Sequence, residues 1–492
     1  GRAEPSPTPS DGPAWKPLEG KALSDLCELL FGKEGINTLV LQQWTSQGLR
    51  LAKDASVKHI LHQTQGGPCG VLAPTQAFML KHLIFNANFG GDLGSVTAEE
   101  CGRALRAGLC ETMWRAGRYE SACLVKVASA EAEGRLRESI GRLEGPACSS
   151  DALATIFQGS LLTQRFSDRR AFLQEVGDGL VALESNFGVL LVLLSILVSR
   201  GIESVQEDRD DPSQPLVTSP FGHASQEIVN LFLSGRAATN VFDGDMDMGQ
   251  DYKLKGIASR SQVGFLTLLE SLNYMKVGSH LKEPEYPVWV LGSESHYTVL
   301  FSLDKAVQDE SKRAKREKEV RRIFDAYDNS GGGGFIDQQS FGEVLTKARC
   351  ALSLDDQALG SQDLVTWHEL WASVVRSEFG SDAAHPGEEK NKRLDMYHVN
   401  GYAKGEGSQP TQKAVAVTLL EDLEAAAQGA QGVDDPMGAM GAAAITSAMD
   451  LGGNPTDHIQ QPRAQWCPLV DCIRTRWKEA EVHWHGEAPS IV

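Results

Sequence analysis

The sequence lacks a hydrophobic run long enough to cross a lipid bilayer. Its most apolar stretch, FGVLLVLLSILV at 187–198, has about a dozen residues, whereas a membrane-spanning helix needs about 20. The Pro/Ser-rich opening GRAEPSPTPSDGP also lacks the apolar segment of a secretory signal. We therefore expect no membrane partner, a buried core helix at 187–198 and a disordered tail over 1–20.

Positive charge is scarce as well. The chain has 47 Lys and Arg residues against 65 Asp and Glu residues, which gives a formal net charge of −18. Nucleic acids and anionic membranes select basic surfaces, so this balance argues against either as the main partner. It favours a neutral or basic protein partner.

Paired cysteines and metal-binding motifs are also missing. The nine cysteines are an odd number scattered along the chain, unlike the dense, paired pattern of a disulfide framework. This distribution indicates a reducing compartment, the cytoplasm, the nucleus or both. His59 and His62 lie three positions apart, but neither HExxH nor a CxxC pair accompanies them. We expect a solvated helix face there, and no metal or cofactor.

The patterns that are present belong to an α/β (α+β) protein. Apolar residues at helical intervals predict helices over 23–32, 70–85 and most of 97–235. Strand signals come later, because YPVWVLG (286–292) and HYTVLFSL (296–303) are β-branched and aromatic runs joined by three polar residues. They predict an antiparallel pair. Val482 and Trp484 alternate as residues of a further strand would.

One cysteine stands in a local sequence suited to catalysis. The segment QTQGGPCGVLAPTQAF (63–78) places Cys69 behind Gly-Gly-Pro and before apolar residues at helical spacing. A thiol attacks as the thiolate, which a helix N-terminus or a nearby imidazolium favours. The alternative interpretation is a small buried hydrophobic side chain beside a turn. Pro74 indicates either an irregular first turn or a regular helix that starts near Ala73.

Candidate partners for this cysteine are a histidine and a glutamine. His296 opens a strand after a tight polar turn, an edge position from which an imidazole can face a cleft; a surface histidine is the alternative. Acyl transfer builds negative charge on a carbonyl oxygen, and a side-chain amide upstream of the nucleophile can donate to it. Gln63 and Gln65 both qualify by chemistry.

These segments resemble the MINDY deubiquitinases, cysteine peptidases that cleave ubiquitin chains. The resemblance includes QTQGGPCGVLAPTQAFMLKHLIF and PVWVLGSESHYTVLFSL, together with three further blocks in order: SPFGHASQEIVNLFLSGRAATNVFDG (219–244), FDAYDNSGGGGFI (324–336) and CIRTRWKEAEVHWHG (472–486). It implies Cys69 as nucleophile, His296 as general base and Gln63, rather than Gln65, as oxyanion donor. It also implies ubiquitin and polyubiquitin as partners, with lysine-48-linked chains preferred.

The resemblance implies a papain-like cysteine peptidase fold with an EF-hand-like helical insertion. The expected organisation, in chain order, is a tail (1–20), a catalytic domain (21–310), the EF-hand-like insertion (311–378), a return to the catalytic domain (379–402), a flexible low-complexity insertion (403–464) and a C-terminal strand region (465–492). If Asp328 is position 1 of the EF-hand-like loop, position 12 falls on Gln339, where calcium binding needs a bidentate Glu. We therefore expect a role in packing or partner binding rather than tight calcium binding.

Two other functions compete with a deubiquitinase. One is a catalytically inactive ubiquitin-binding or EF-hand-type scaffold, which intact Cys69, His296 and Gln63 argue against. The other is a cysteine peptidase or transferase that acts on another ubiquitin-like tail. The sequence identifies no third residue that orients His296.

Overall fold

The structure is a computed structural model that describes residues 14–86, 89–145, 147–249, 252–309, 312–328, 334–350, 364–379, 391–403, 405, 407–420, 467–478 and 480–489. These residues form two compact units. One comprises the chain up to Lys305 together with Arg393–Leu419 and the C-terminal segment, and the other consists mainly of Ala306–Lys392. The helices of the described residues are all too short or too polar to span a bilayer.

The first half of the larger unit is mainly helical. Its helices are α1 (Gly20–Phe31), α2 (Thr38–Ser46), α3 (Cys69–Ile84), α4 (Ala98–Ala116), α5 (Ala130–Gly141), α6 (Ser150–Phe157), α7 (Arg169–Asp178), α8 (Leu180–Glu184), α9 (Gly188–Arg200), α10 (Ile202–Glu207) and α11 (Gln226–Ser234). Thr97 and Glu100 form a capping box at the start of α4. The apolar run at 187–198 falls largely in α9, where all but two residues are buried. This confirms the predicted core helix.

A small sheet interrupts the region that we expected to be mostly helical. β2 (Ala122–Val127) and β3 (Leu161–Phe166) pair antiparallel, and β1 (Lys16–Pro17) adds to β3. The expectation of a disordered tail over 1–20 is therefore wrong for residues 16–20, because they form β1 and the start of α1; residues 1–13 lie outside the described residues. Helix α4 continues through Gly108 without a break.

A six-stranded sheet forms the second layer of this unit. Its strands are β8 (Gly264–Thr267), β9 (Val288–Gly292), β10 (Tyr297–Phe301), β13 (Asn391–Asn400), β14 (Thr411–Leu420) and β15 (Ala480–Trp484), in the spatial order β15-β14-β13-β10-β9-β8. β9 and β10 pair antiparallel, as predicted, and β15 confirms the predicted C-terminal strand. The short elements around the sheet are α12 (Leu268–Ser271), α13 (Ser279–Lys282), α17 (Pro468–Arg476) and the hairpins β4 (Val217–Thr218) with β5 (His223–Ala224) and β6 (Met246–Asp247) with β7 (Lys253–Leu254).

The sheet corrects one predicted boundary. We expected a flexible insertion over 403–464, yet Thr411–Leu420 is the strand β14, which lies between β13 and β15. Val415 and Val417 are buried on it. The Gly- and Ala-rich composition downstream obscured this strand in the sequence. Residues 421–464, the part of that predicted insertion after β14, lie outside the described residues.

The smaller unit contains α14 (Lys312–Asp325), β11 (Phe335–Asp337), α15 (Gln338–Ala348), β12 (Leu364–Thr366) and α16 (Trp367–Phe379). β11 and β12 pair antiparallel, with Ile336 opposite Val365. Both residues are buried in a separate hydrophobic core with Phe324, Val344 and Val374. This core of its own accounts for the compactness of the unit.

Candidate active site

Cys69 is the first residue of α3, the helix at the centre of the larger unit. Every residue of α3 except His82 is buried, and the helix packs against α4, α11, β9 and β10. The helix begins at Cys69 with Pro74 inside it, and Val71 and Leu72 donate backbone hydrogen bonds to Pro68 O at 3.0 and 3.1 Å. A start near Ala73 is therefore wrong. The missing N–H of Pro74 falls in the second turn.

Two of the three glycines around Cys69 are required by close packing. Gly67 has φ +102°, and a Cβ there would lie 3.0 Å from Gly222 O. A Cβ on Gly70 would lie 2.5 Å from Ala224 Cβ, whereas one on Gly66 would meet nothing within 4 Å. The short β4–β5 hairpin thus packs directly against the turn that presents the cysteine.

The Cys69 thiol is buried, with 2% of the residue exposed. Its Sγ lies 3.9 Å from Gly67 O and 4.0 Å from Ser295 O. Burial raises the pKa of the thiol to about 11, although the backbone N–H of Tyr297 opposes this shift. The thiol is therefore protonated at neutral pH.

His296 lies at the end of the β9–β10 turn, immediately before β10. Ser293 holds this turn, because its N–H and hydroxyl donate to His296 O at 2.9 and 3.0 Å. We expected an edge position, which is wrong: β10 lies between β9 and β13, inside the sheet. The imidazole is buried, and desolvation lowers its pKa while Asn400 opposes the shift.

Asn400, at the end of β13, contacts the imidazole directly. Its Oδ1 lies 2.9 Å from His296 Nε2 and accepts a second hydrogen bond from Tyr402 N at 2.9 Å. The Tyr402 ring lies 5.6 Å from the imidazole, centroid to centroid. Sequence reasoning missed both residues, because they are about a hundred positions away from His296 and follow the smaller unit.

Gln63 is buried and is joined by its backbone to the same segment. Gln63 N donates to Gly401 O at 2.8 Å, and Ala403 N donates to Gln63 O at 3.0 Å. Its side-chain Nε2 donates to Gln65 O at 2.6 Å. Gln63 also lines a cavity of about 20 Å³, together with Leu72 and Tyr297. Gln65, by contrast, is exposed.

The structure therefore brings the three predicted residues into one region. The thiol contacts the backbone on both sides of His296, and Asn400 and Gly401 connect His296 to Gln63. Within the described residues, however, the Cys69 thiol and the His296 ring form no hydrogen bond. The Gln63 amide is also engaged with Gln65. The predicted residues are adjacent, but they are not in a reacting arrangement.

Of the two histidines considered for a metal, His59 has a structural contact instead. His59 is fully buried, and its Nε2 lies 2.6 Å from Gln412 Oε1 on β14. The expected solvated helix face is therefore wrong for His59. Among the residues that the structure describes, no group of three or more His, Cys, Asp or Glu side chains is arranged to hold a metal ion.

Comparison with known proteins defines the class of this chain as a ubiquitin hydrolase. Residues 28–321 match the family model described as deubiquitinating enzyme MINDY-3/4, conserved domain. The chain belongs to this MINDY-3/4 family of deubiquitinating enzymes. Membership confirms the resemblance found in the sequence and, at this level, the predicted enzyme class.

Relatives match over most of the chain. The chain is 31% identical to ubiquitin carboxyl-terminal hydrolase MINDY-3 of Homo sapiens, over 95% of this chain and 98% of that protein. It is 29% identical to the Drosophila melanogaster MINDY-3 homolog, over 96% of this chain and 83% of that protein. Probable ubiquitin carboxyl-terminal hydrolase MINDY-4 of Homo sapiens is 33% identical over 64% of this chain and 40% of its own length. No solved structure matches the chain.

Proposed function

We propose that this protein is a cysteine isopeptidase that hydrolyses ubiquitin chains, with Cys69 as nucleophile, His296 as general base and acid, and Gln63 as oxyanion donor. One observation carries the assignment. The thiol at the start of α3 contacts Ser295 O, the carbonyl next to His296 in the β9–β10 turn. The family to which the chain belongs supports the same chemistry.

The reaction proceeds by acyl transfer. His296 takes the thiol proton, and Cys69 Sγ forms a bond to the carbonyl carbon at the end of the ubiquitin tail. Gln63 Nε2 and the Cys69 backbone N–H donate to the oxyanion. The C–N bond to the lysine amine then breaks as His296 returns its proton to the amine. His296 next deprotonates a water, which attacks the thioester and releases Cys69.

Substrate binding has to change the resting site in two ways. The Gln63 amide must leave Gln65 O, and the imidazole must reach the thiol. The raised pKa of Cys69 fits this requirement, because a protonated thiol at a desolvated site is unreactive until the imidazole accepts its proton. Catalytic hydrogen bonds that tighten only in the substrate complex are common in enzymes.

The proposal also includes a linkage preference and a cellular compartment. The preference for lysine-48-linked chains is supported by the family resemblance alone, and no residue of this chain is assigned to it. The nine cysteines all lie in the described part of the chain and are unpaired. This supports a reducing compartment, cytoplasmic or nuclear.

Labelling with a ubiquitin probe that carries a C-terminal electrophile tests the assignment. We expect one adduct on the wild-type protein, none on Cys69→Ala and an undiminished adduct on Cys350→Ala, which removes a more accessible cysteine. An unlabelled wild-type protein would favour the inactive scaffold, and labelling only by the probe of another ubiquitin-like modifier would favour that substrate. A panel of linkage-defined ubiquitin chains tests the lysine-48 preference, which equal cleavage of all linkages would contradict.

A further inference from the structure

Residues 400–403 connect the groups that the proposed mechanism uses. Asn400 Oδ1 contacts His296 Nε2, Gly401 O accepts from Gln63 N, and the Tyr402 ring packs against the imidazole. Residues 400–403 belong to the larger unit, and they comprise the last residue of β13 and the three that follow it. The segment is therefore a structural neighbour of both His296 and Gln63.

The orientation of the Asn400 amide is fixed by a backbone donor. Tyr402 N–H donates to Oδ1, so the oxygen, rather than the amide nitrogen, faces the imidazole. An oxygen acceptor at 2.9 Å requires a proton on His296 Nε2. The neutral imidazole then has its lone pair on Nδ1, and the protonated imidazole retains this hydrogen bond.

Gly401 allows the segment to approach this closely. A Cβ at Gly401 would lie 2.4 Å from Leu61 O, so a side chain would push the segment away from Leu61 and Gln63. Asn400 itself is only 8% exposed. A buried amide with its oxygen held by a backbone N–H and aimed at a buried imidazole is a pre-organised arrangement.

We infer that Asn400 is the positioning residue of this site: it fixes the tautomer and ring orientation of His296, so that Nδ1 is the atom that exchanges a proton with Cys69. The inference deepens the proposed function and rests on it. Asn400 acts through His296 and does not touch the reacting atoms. It also stabilises the imidazolium, which must protonate the departing lysine amine.

The test compares Asn400→Ala with Asn400→Asp in cleavage of a ubiquitin substrate. Loss of the acceptor should lower kcat about tenfold or more, with KM little changed, because orientation affects the proton transfers and not the binding of ubiquitin. Asn400→Asp keeps an oxygen acceptor and should restore most of kcat. Asp395→Ala, an exposed position on the same strand, is the matched control and should match the wild type.

The pH profile gives a readout that a merely structural role would not move. His296 must be neutral to accept the thiol proton, so the acid limb of kcat/KM follows its pKa. Asn400→Ala should shift this limb to lower pH and Asn400→Asp to higher pH, because the acceptor stabilises the imidazolium. The titratable groups near His296 are Cys69, Tyr297, His223 on β5, His398 on β13 and Tyr402. None of them is changed in these variants.

The outcomes separate this inference from the function that it deepens. Asn400→Ala with wild-type kcat and an unmoved acid limb would overturn the positioning role and leave the hydrolase assignment intact. If Asn400→Ala does not fold, the opposite shift expected for Asn400→Asp decides the question, and an unmoved limb in that variant overturns the role. A wild-type protein without activity would contradict the proposed function itself.

Discussion

At the scale of single residues, two glutamines of equal chemistry occupy different environments. Gln63 is buried beside the cavity next to Tyr297, whereas Gln65 is exposed and offers only its carbonyl to Gln63. Composition and spacing could not choose between them. The choice depends on which side chain points into the protein, and that is decided by the pairing of Gln63 with Gly401 and Ala403.

We predict that Gln63→Ala lowers kcat by about 100- to 1,000-fold, the usual effect of removing one oxyanion donor. Gln65→Ala changes an exposed side chain two positions away, and its kcat should stay within a few-fold of the wild-type value. Steady-state cleavage of a ubiquitin substrate measures both variants, and their melting temperatures show whether each is folded. Equal losses in the two variants would contradict the assignment of the oxyanion donor to Gln63.

Cys69 gives a second prediction, on pH. Its thiol pKa is raised to about 11 by burial, so the thiolate fraction of the free protein increases about tenfold per pH unit below that value. We expect the alkylation rate of Cys69 by iodoacetamide to rise steadily from pH 7 to pH 10. Mass spectrometry of the peptide that contains Cys69 follows the reaction, with Cys467 as an internal reference.

A plateau of the Cys69 alkylation rate at neutral pH would contradict this prediction. It would mean that the resting protein already holds a thiolate–imidazolium pair. Addition of unreactive ubiquitin then becomes informative. If substrate docking assembles the pair, the plateau should appear only in its presence.

At the scale of helices and strands, the sequence predicted those elements that have a strong local hydrophobic pattern. The β9–β10 hairpin has consecutive β-branched and aromatic residues on both sides of a polar turn, and it was found. β2, β3 and β14 were missed, since their apolar residues lie beside helix-like or low-complexity composition. These segments become strands because they pair with strands that are distant in sequence, as β14 does with β13 and β15.

Asn400 illustrates the same limit within the site. It lies 104 positions from His296, and nothing in the sequence around it differs from an ordinary strand end. Cys69 could be identified because glycines, a proline and a helical pattern surround it. Asn400 becomes a neighbour of His296 only because β13 pairs with β10, with Val399 opposite Val299.

Helix α4 contributes a buried carboxylate to the core of the larger unit. Glu111 lies 2.5 Å from both Lys81 Nζ and His82 Nε2, and 3.7 Å from Arg115 Nη1. Although burial opposes it, the hydrogen bonds from His82 and Lys81 and the charges of Lys81 and Arg115 lower the pKa of Glu111 to about 2. The carboxylate therefore stays charged in the folded protein at any pH above this value.

We predict that Glu111→Gln lowers the free energy of unfolding by about 3 to 5 kcal/mol at pH 7, because it leaves buried cations without their partner. The exposed Glu99→Gln, on the same helix, should cost less than about 1 kcal/mol. The wild-type contribution is present above the unfolded pKa, near 4.5, and is lost as pH falls towards 2. Urea unfolding at several pH values should show the two proteins converging in acid; a constant difference would contradict this.

The loop between α14 and α15 gives a prediction about calcium. Asp328 Oδ2 accepts from Gly334 N at 3.0 Å, and Ile336 pairs with Val365. In an EF-hand the glycine of the sharp turn is position 6. Counted from Asp328 as position 1, Gly334 is position 7. If Gly334 nevertheless takes the place of the position-6 glycine, the loop contains one additional residue, and position 12 moves from Gln339 to Ser340. Neither residue supplies the bidentate carboxylate that calcium requires.

We predict that millimolar calcium does not change the melting temperature of the wild-type protein relative to excess chelator. Ser340→Glu would place a carboxylate at position 12 and should create a calcium-dependent increase. Gln339→Glu, one position away, is the matched control and should not respond. A response of the wild-type protein, or of Gln339→Glu alone, would contradict this alignment of the loop.

At the scale of the whole molecule, the smaller unit is inserted between two paired strands. β10 and β13 run antiparallel, with Phe301 opposite Tyr397, so the chain leaves the sheet and returns to it at neighbouring points. The two units have separate hydrophobic cores. The residues proposed to be catalytic and the segment 400–403 all belong to the larger unit.

We therefore predict that residues 307–391 can be replaced by a short Gly/Ser linker that turns β10 and β13 into a hairpin. The shortened protein should fold and form the Cys69 adduct with the ubiquitin probe within a few-fold of the wild-type rate, because antiparallel neighbours need only a tight connection. Circular dichroism and labelling kinetics measure the two expectations, and the Asn400→Ala change in the shortened protein should slow labelling as it does in the full chain. A folded but unlabelled protein would mean that the inserted unit takes part in assembling the site, while loss of folding would mean that β13 depends on it.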